Sequence, residues 1–138
     1  MAEEHKLRAQ VLTPEGEVFE GELEQLSTRT AVGEVGIRAN HAPLVGRLVP
    51  AELRLHVSES ETIRYAQAEG WLEVFANKAV VLIGEAIPPD ELDPAELKER
   101  VDDADRRLDE ADEDSAAHDL AERDKARAEA FLEVAERR

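Results

Sequence analysis

The sequence predicts an α+β protein: a strand-built amino-terminal part, then a helical arm, with the border near Ile87-Pro88-Pro89. Two observations carry this. All seven glycines and five of the six prolines lie before Asp90, so the turns are concentrated there. The apolar spacing also changes, from a period of two in the first part to steps of three and four in the second. The units are therefore residues 1–87 and 88–138.

In the first unit, Leu7, Ala9 and Val11 alternate with polar neighbours, and Thr13-Pro14-Glu15-Gly16 supplies a turn. Val18 to Leu26 reads as a second strand region interrupted at Gly21. Leu53, Leu55 and Val57 alternate with Arg54 and His56, Ser58 to Glu61 makes a polar turn, and Ile63, Tyr65 and Gln67 resume the pattern. Trp71 to Phe75 and Lys78 to Ile83 flank Ala76-Asn77, where asparagine tolerates the left-handed backbone of a tight hairpin. Val80 to Ile83 is continuously apolar, the pattern of a strand buried on both faces. Many short strands with frequent turns give a sandwich or a barrel.

In the second unit, Asp93-Pro94-Ala95-Glu96 is a helix start. Asp93 caps, Pro94 suits the first helical position, and Glu96 completes a capping-box-like pattern. Leu97, Val101, Ala104, Leu108 and Ala111 follow as an apolar stripe. A second stripe holds Leu120, Ala121, Ala128, Phe131, Leu132 and Ala135. Between them, Asp112-Glu113-Asp114-Ser115 permits either a new cap or one continuous rod. The large apolar residues of the arm are few: Leu92, Leu97, Val101, Leu108, Leu120, Phe131 and Leu132. Each contributes roughly 1.5–3 kcal/mol when fully buried, against about 1–2 kcal/mol of backbone entropy per residue ordered. Such an arm needs the strand unit or a partner to cover its stripe, and it is thin enough to be displaced.

The net charge is −16, with 33 acidic against 17 basic residues. The arm is the denser part: residues 90–138 hold 19 acidic and 9 basic residues, net −10, against 14 and 8, net −6, in residues 1–89. This balance disfavours nucleic acid and anionic lipid surfaces as partners and points to proteins or cations. There is no cysteine, hence neither a disulfide frame nor a thiolate site. The first ten residues, MAEEHKLRAQ, carry no apolar stretch, and no run of about 18 apolar residues occurs. Neither a secretory signal nor direct membrane insertion is expected.

The most distinctive stretch is GEVGIRANHAPLVGRL, Gly33 to Leu48. Its glycines, Asn40, His41 and Pro43 exclude a helix, and single anchors such as Val35, Ile37, Leu44, Val45 and Leu48 reach towards a core. It reads as a shaped surface turn inside a β unit. Gly33, Gly36 and Ile37, then His41, Pro43 and Leu44, resemble the Gly-x-x-Gly-Ile and His-x-Pro-Leu signature of the epsilon subunit of the rotary ATP synthase. The stretch AEGWLEVFANKAVVLIGEA, Ala68 to Ala86, is similar to the last two strands of that family's β domain.

The resemblance implies a flattened antiparallel β-sandwich followed by a two-helix antiparallel hairpin. It implies a non-catalytic rotor subunit of a proton-transporting ATP synthase, peripheral to the cell membrane on its cytoplasmic side. The partners it implies are the gamma subunit, the c-subunit ring and, through an extended arm, the beta and alpha subunits. Carried over by position, Glu34, Val35, Gly36 and Ile37 to His41 face the c ring, and His41, Ala42, Pro43 and Leu44 lie near gamma. Arg123, Lys125 and Arg127 of the second helix meet an acidic loop of the beta subunits when the arm extends. Some members bind ATP through an Ile/Leu-Asp-x-x-Arg-Ala motif. Here Leu92 and Asp93 fit, but Glu96 replaces the arginine and Leu97 the alanine, which sets a carboxylate against phosphate, so no tight ATP site is expected.

The plainer readings are set beside these. His41 reads as a structural or interface residue, because His5, His56 and His118 fall in other elements and no convergent acid, base or metal partner is evident. Gly33 and Gly36 precede no helix, and no phosphate loop is present. Asp112, Glu113 and Asp114 read as a solvated acidic run. Arg123, Lys125 and Arg127 have carboxylate neighbours on their own helix, Glu122, Asp124 and Glu129 among them, for pairing. Trp71 and Phe75 read as strand packing, whereas an exposed aromatic there marks a partner face. Pattern alone gives a two-part protein-binding module. A small enzyme or sugar-binding barrel would require His41, Glu34 and Trp71 to converge.

Overall fold

The computed structural model describes residues 6–137, so His5 lies outside it. Ten strands precede two helices. They are β1 (Leu7–Thr13), β2 (Gly16–Leu23), β3 (Gln25–Thr30), β4 (Gly33–Ile37), β5 (Leu44–Leu48), β6 (Ala51–His56), β7 (Thr62–Gln67), β8 (Gly70–Phe75), β9 (Lys78–Ile83) and β10 (Ala86–Ile87). A 3-10 turn, Pro89–Glu91, leads to α1 (Pro94–Glu110) and α2 (Ala116–Glu136).

The strand order is β10-β7-β6-β3-β5-β8-β9-β1-β2, with β4 on the other edge of β3. β3 is the fold line. It pairs with β6 from Gln25 to Ser27 but reaches β5 only at Thr30 opposite Leu48. Two layers result: β4, β3, β6, β7 and β10 in one, and β5, β8, β9, β1 and β2 in the other. Every pairing is antiparallel except β1 with β9, which are far apart in sequence and run parallel. Leu7, Ala9, Val11, Leu26, Leu53, Leu55, Leu72, Val74 and Val81 are buried between the layers. The period-two segments thus point one face inward, as their alternation requires.

Three local expectations are corrected. The strand region after Val18 breaks at Glu24, whose N–H donates to His56 O at 2.8 Å, rather than at Gly21, which lies within β2 opposite Ala9. β9 is buried on one face only: Ala79, Val81 and Ile83 point inward, while Leu82 is exposed. Gly33 and Gly36 stand inside strand β4, so the turn of the glycine-rich stretch is confined to residues 38–43. The Ala76-Asn77 hairpin forms with both residues at positive φ, 51° and 62°. Gly70 has no alternative, because a Cβ there would stand 1.9 Å from Leu82 O on the neighbouring strand.

In the arm, Asp93 Oδ1 accepts from Ala95 N at 3.0 Å and from Glu96 N at 3.5 Å, so the cap forms. Glu96 turns forward instead and pairs with Arg100. The chain breaks after Glu110, and Ser115 Oγ starts α2 by accepting from His118 N at 3.1 Å. The rod is thereby excluded and the helices form a hairpin, tied by Arg107 to Asp124 at 2.9 Å and Lys125 to Asp105 at 2.7 Å. Leu97, Ala104, Ala121, Ala128, Phe131 and Ala135 are buried as their stripes require. Leu120 is exposed, and Val134 is buried in its stead.

Candidate functional site

The Gly33–Leu48 stretch crosses from one layer to the other, and its residues divide accordingly. In β4, Ile37 is fully buried and Val35 half-buried, so Glu34 and Gly36 face outward. Ile37 therefore anchors the segment from the core and presents nothing to a partner. Glu34 pairs loosely with Arg29 at 3.5 Å. It lines, with Gly36, Gln25 and Arg54, a polar cleft of about 250 Å³ whose far wall is α2.

The connecting turn is shaped by asparagines. Asn40 adopts φ 62°, and its N–H donates to Asn77 Oδ1 at 2.7 Å. Asn77 Nδ2 donates to Lys6 O at 2.9 Å, so one hairpin side chain braces both the turn and the start of β1. His41 N donates to Arg38 O at 3.2 Å, and its Nδ1 lies 2.7 Å from Ala42 O, so Nδ1 carries the proton. Ala42 and Pro43 are exposed, Leu44 is half-buried, and the chain passes into β5.

There the outer face of the second layer exposes four large apolar residues among the charged Arg47, Glu73 and Lys78. Val45 is 68% exposed, Trp71 53%, Phe75 66% and Leu82 48%. Pairing sets Trp71 opposite Leu82, while Glu73 stands between Val45 and Val80. Pro43 and Leu44 border a shallow depression beside Val45 and Phe75. Large apolar side chains exposed together on one face make it a candidate interface. Trp71 and Phe75 lie exposed on this face, outside the core. Glu34 lines the cleft beside α2 while Trp71 lies on the opposite layer, so His41, Glu34 and Trp71 form no common pocket.

The other outer face carries the arm. α2 lies over β6 and β7, where Phe131, Val134, Ala135 and Leu97 pack on Ala66 and Ala68. Arg127 pairs with Glu69 and, at 3.2 Å, with Glu85. That hydrogen bond to Glu69 is the main cause raising the guanidinium's pKa above its ordinary value. Lys125 is raised likewise by Asp105. Arg123 lies 3.5 Å from Asp124. The basic residues of α2 are thus paired within the chain, but Lys125 and Arg127 pair across elements rather than along their own helix.

The altered nucleotide motif is used for structure. Asp93 caps α1, Glu96 holds Arg100, Leu97 is buried against the arm's seat, and half-buried Leu92 packs beside it. The groove between α1 and α2 is lined by Arg100, Arg107 and Arg127. Each of these is already taken by a carboxylate, on Glu96, Asp124 and Glu69 respectively.

The family model for the ATP synthase Delta/Epsilon chain, beta-sandwich domain, matches residues 6–89. The ATP synthase epsilon chain of Persephonella marina is 40% identical over 127 residues, spanning 91% of this chain and 93% of that one. The chain belongs to the ATP synthase epsilon chain family. A second epsilon chain, from a Sulfurihydrogenibium species, is 30% identical and spans 93% and 96% of the two chains. In structure, the chain is similar to one in the mitochondrial ATP synthase of Euglena gracilis, with TM-score 0.81 at 20% identity over 91% of this chain and 79% of that one. A chain of the Tetrahymena thermophila mitochondrial ATP synthase central stalk and c-ring matches with TM-score 0.61 at 16% identity, over 93% and 95%. At these identities the structural likeness speaks for the fold. As an epsilon chain it is a non-catalytic stalk subunit of the ATP synthase. Among the described residues no helix is long and apolar enough to cross a membrane.

Proposed function

We propose that the chain's two units divide the work of a rotor subunit, residues 1–87 coupling and residues 88–138 regulating. The outer face of the second layer, with Val45, Trp71, Phe75 and Leu82, grips the gamma subunit, and Ala42, Pro43 and Leu44 extend that contact. Glu34, Gly36 and the turn to His41 meet the c-subunit ring, with Val35 and Ile37 fixing them from beneath. The chain is then held at the cytoplasmic side of the cell membrane through the complex. The observation that carries this reading is the set of large apolar residues exposed on that face, to which the signature segment contributes Val45.

The arm acts in two positions. Seated, Arg127 is engaged by Glu69 and Glu85 of the sheet unit and is freed when the arm leaves, whereas Lys125 and Arg123, paired inside the hairpin with Asp105 and Asp124, exchange those partners for acidic surfaces of the beta and alpha subunits.

The gamma contact is tested with Trp71→Glu combined with Phe75→Glu. Both side chains are more than half exposed, so the fold is retained. Interface anchors contribute on the order of 2 kcal/mol or more each, so retention by gamma on co-purification is expected to fall at least about thirtyfold. Undiminished retention would remove this face from the interface.

A further inference from the structure

α2 is held to the sheet by two guanidinium clamps that face in opposite directions. At one end, Arg127 of the arm reaches down to Glu69 and Glu85 at the β7–β8 and β9–β10 connections. At the other, Arg64 of β7 reaches up to the end of α2, donating to Val134 O at 3.4 Å and Arg137 O at 3.1 Å. Carbonyls at a helix C-terminus lack partners within the helix, and a cation there also meets the negative end of the helix dipole. Arg64 therefore caps α2 from another element. Its Nε is fixed by Glu52 Oε2 at 2.6 Å, and Glu52 Oε1 also lies 3.3 Å from Arg137.

Between the clamps the apolar seam is slight on the sheet side, where the buried residues are Ala66 and Ala68 and only a partly buried Ile87 adds a larger side chain. α1 is tied mainly to α2, through Arg107–Asp124 and Lys125–Asp105, so the hairpin keeps its own contacts if it departs. Glu52 decides whether departure is tolerable. Its side chain is only 6% exposed, and a buried carboxylate stripped of its partners is strongly destabilising. Release of the arm removes Arg137 alone, while Arg64 and Arg54 remain beside Glu52. Glu69 and Glu85 are left to water. The sheet is thus built to lose the arm without stranding a charge.

We infer that these clamps form an electrostatic latch, in which Arg127 with Glu69 and Glu85, and Arg64 with Glu52 and the end of α2, set whether the arm is seated. The inference rests on the two-position arm proposed above. It makes the sign of the salt response diagnostic. Added salt screens partly exposed ion pairs, the Debye length falling from about 10 Å at 0.1 M to about 3 Å at 1 M. Excluded salts such as sulfate strengthen apolar burial instead. A latch opens as salt rises, whereas an apolar dock tightens.

The absence of cysteine allows two probes to be placed at will. Spin labels on Glu59→Cys, in the β6–β7 turn, and Glu113→Cys, between the helices, report the distance from sheet to arm in the isolated chain. At low salt one seated population is expected, and raising sodium chloride to about 1 M, which screens without the exclusion effect of sulfate, shifts it towards a longer distance. Arg127→Glu is expected to shift the seated-to-released ratio about tenfold or more at low salt, the scale of charge-assisted hydrogen bonds. Adding Glu69→Arg and Glu85→Arg to it restores the seated distance. A distance that shortens or holds as sodium chloride rises would overturn the latch, with no variant needed. So would an Arg127→Glu chain that stays seated. Because the readout needs no partner, failure here is separate from failure of the gamma contact.

Discussion

Phe131→Ala probes how independently the arm is attached. Phe131 is almost fully buried and is the largest side chain in the cluster that joins α2 to the sheet. Phenylalanine-to-alanine changes in a core cost about 3–5 kcal/mol, combining lost transfer energy with the cavity left behind. Part of that loss stays within the hairpin, since Leu97, Val134 and Ala135 belong to the arm and the sheet contributes Ala66, Ala68 and a partly buried Ile87. The share that weakens seating is then roughly the transfer term of about 1.5–3 kcal/mol, a ten- to hundredfold drop in the seating equilibrium at about 1.4 kcal/mol per decade. Hydrogen exchange read by mass spectrometry resolves this by segment. Peptides from α1 and α2 are expected to exchange faster by that factor, while those from β1, β8 and β9 keep the wild-type rate, because their core lies between the layers. Equal acceleration of strands and helices would mean a single cooperative unit and would refute the reasoning.

Two further outcomes follow from individual groups. Burial raises the pKa of Tyr65, which packs against the core from β7, above the ordinary 10.0. The unfolded chain ionises first, so stability holds below pH 10.0 and declines as pH rises through the folded value. Tyr65 is the one tyrosine of the chain, so tyrosinate absorbance reports it directly, and a midpoint at or below 10.0 would contradict its burial. Titration of the isolated chain with magnesium-free ATP in a calorimeter is expected to show no micromolar binding. Glu96 stands in the motif's arginine position, and Arg100, Arg107 and Arg127 are already paired; micromolar heat would overturn this.

The parts legible in the sequence are those with local causes. Alternation in Leu7–Val11 and Leu53–Leu55 reported one buried face, Asn77 marked its hairpin, and Asp93-Pro94 started α1. β9 misled because Val80 and Leu82 are apolar on the outer face, where periodicity does not distinguish burial by the same chain from burial by a partner. Ser115 fits both a rod and a hairpin locally, and it is the burial of Ala121, Ala128 and Phe131 that decides. Within the signature segment, the motif located the stretch, but only pairing with β3 separates inward Ile37 from outward Glu34. The clamps were invisible for the same reason. Arg127 and its partners Glu69 and Glu85 lie 58 and 42 residues apart, and Arg64 lies 73 from the carbonyl of Arg137.

The division of labour between sandwich and arm is tested most directly in sealed vesicles carrying the assembled synthase with this chain ended after Pro89. The account predicts that proton-driven ATP synthesis is retained while ATP hydrolysis rises. Loss of synthesis to the level seen when the whole chain is omitted would contradict it, since the arm would then be part of the coupling itself.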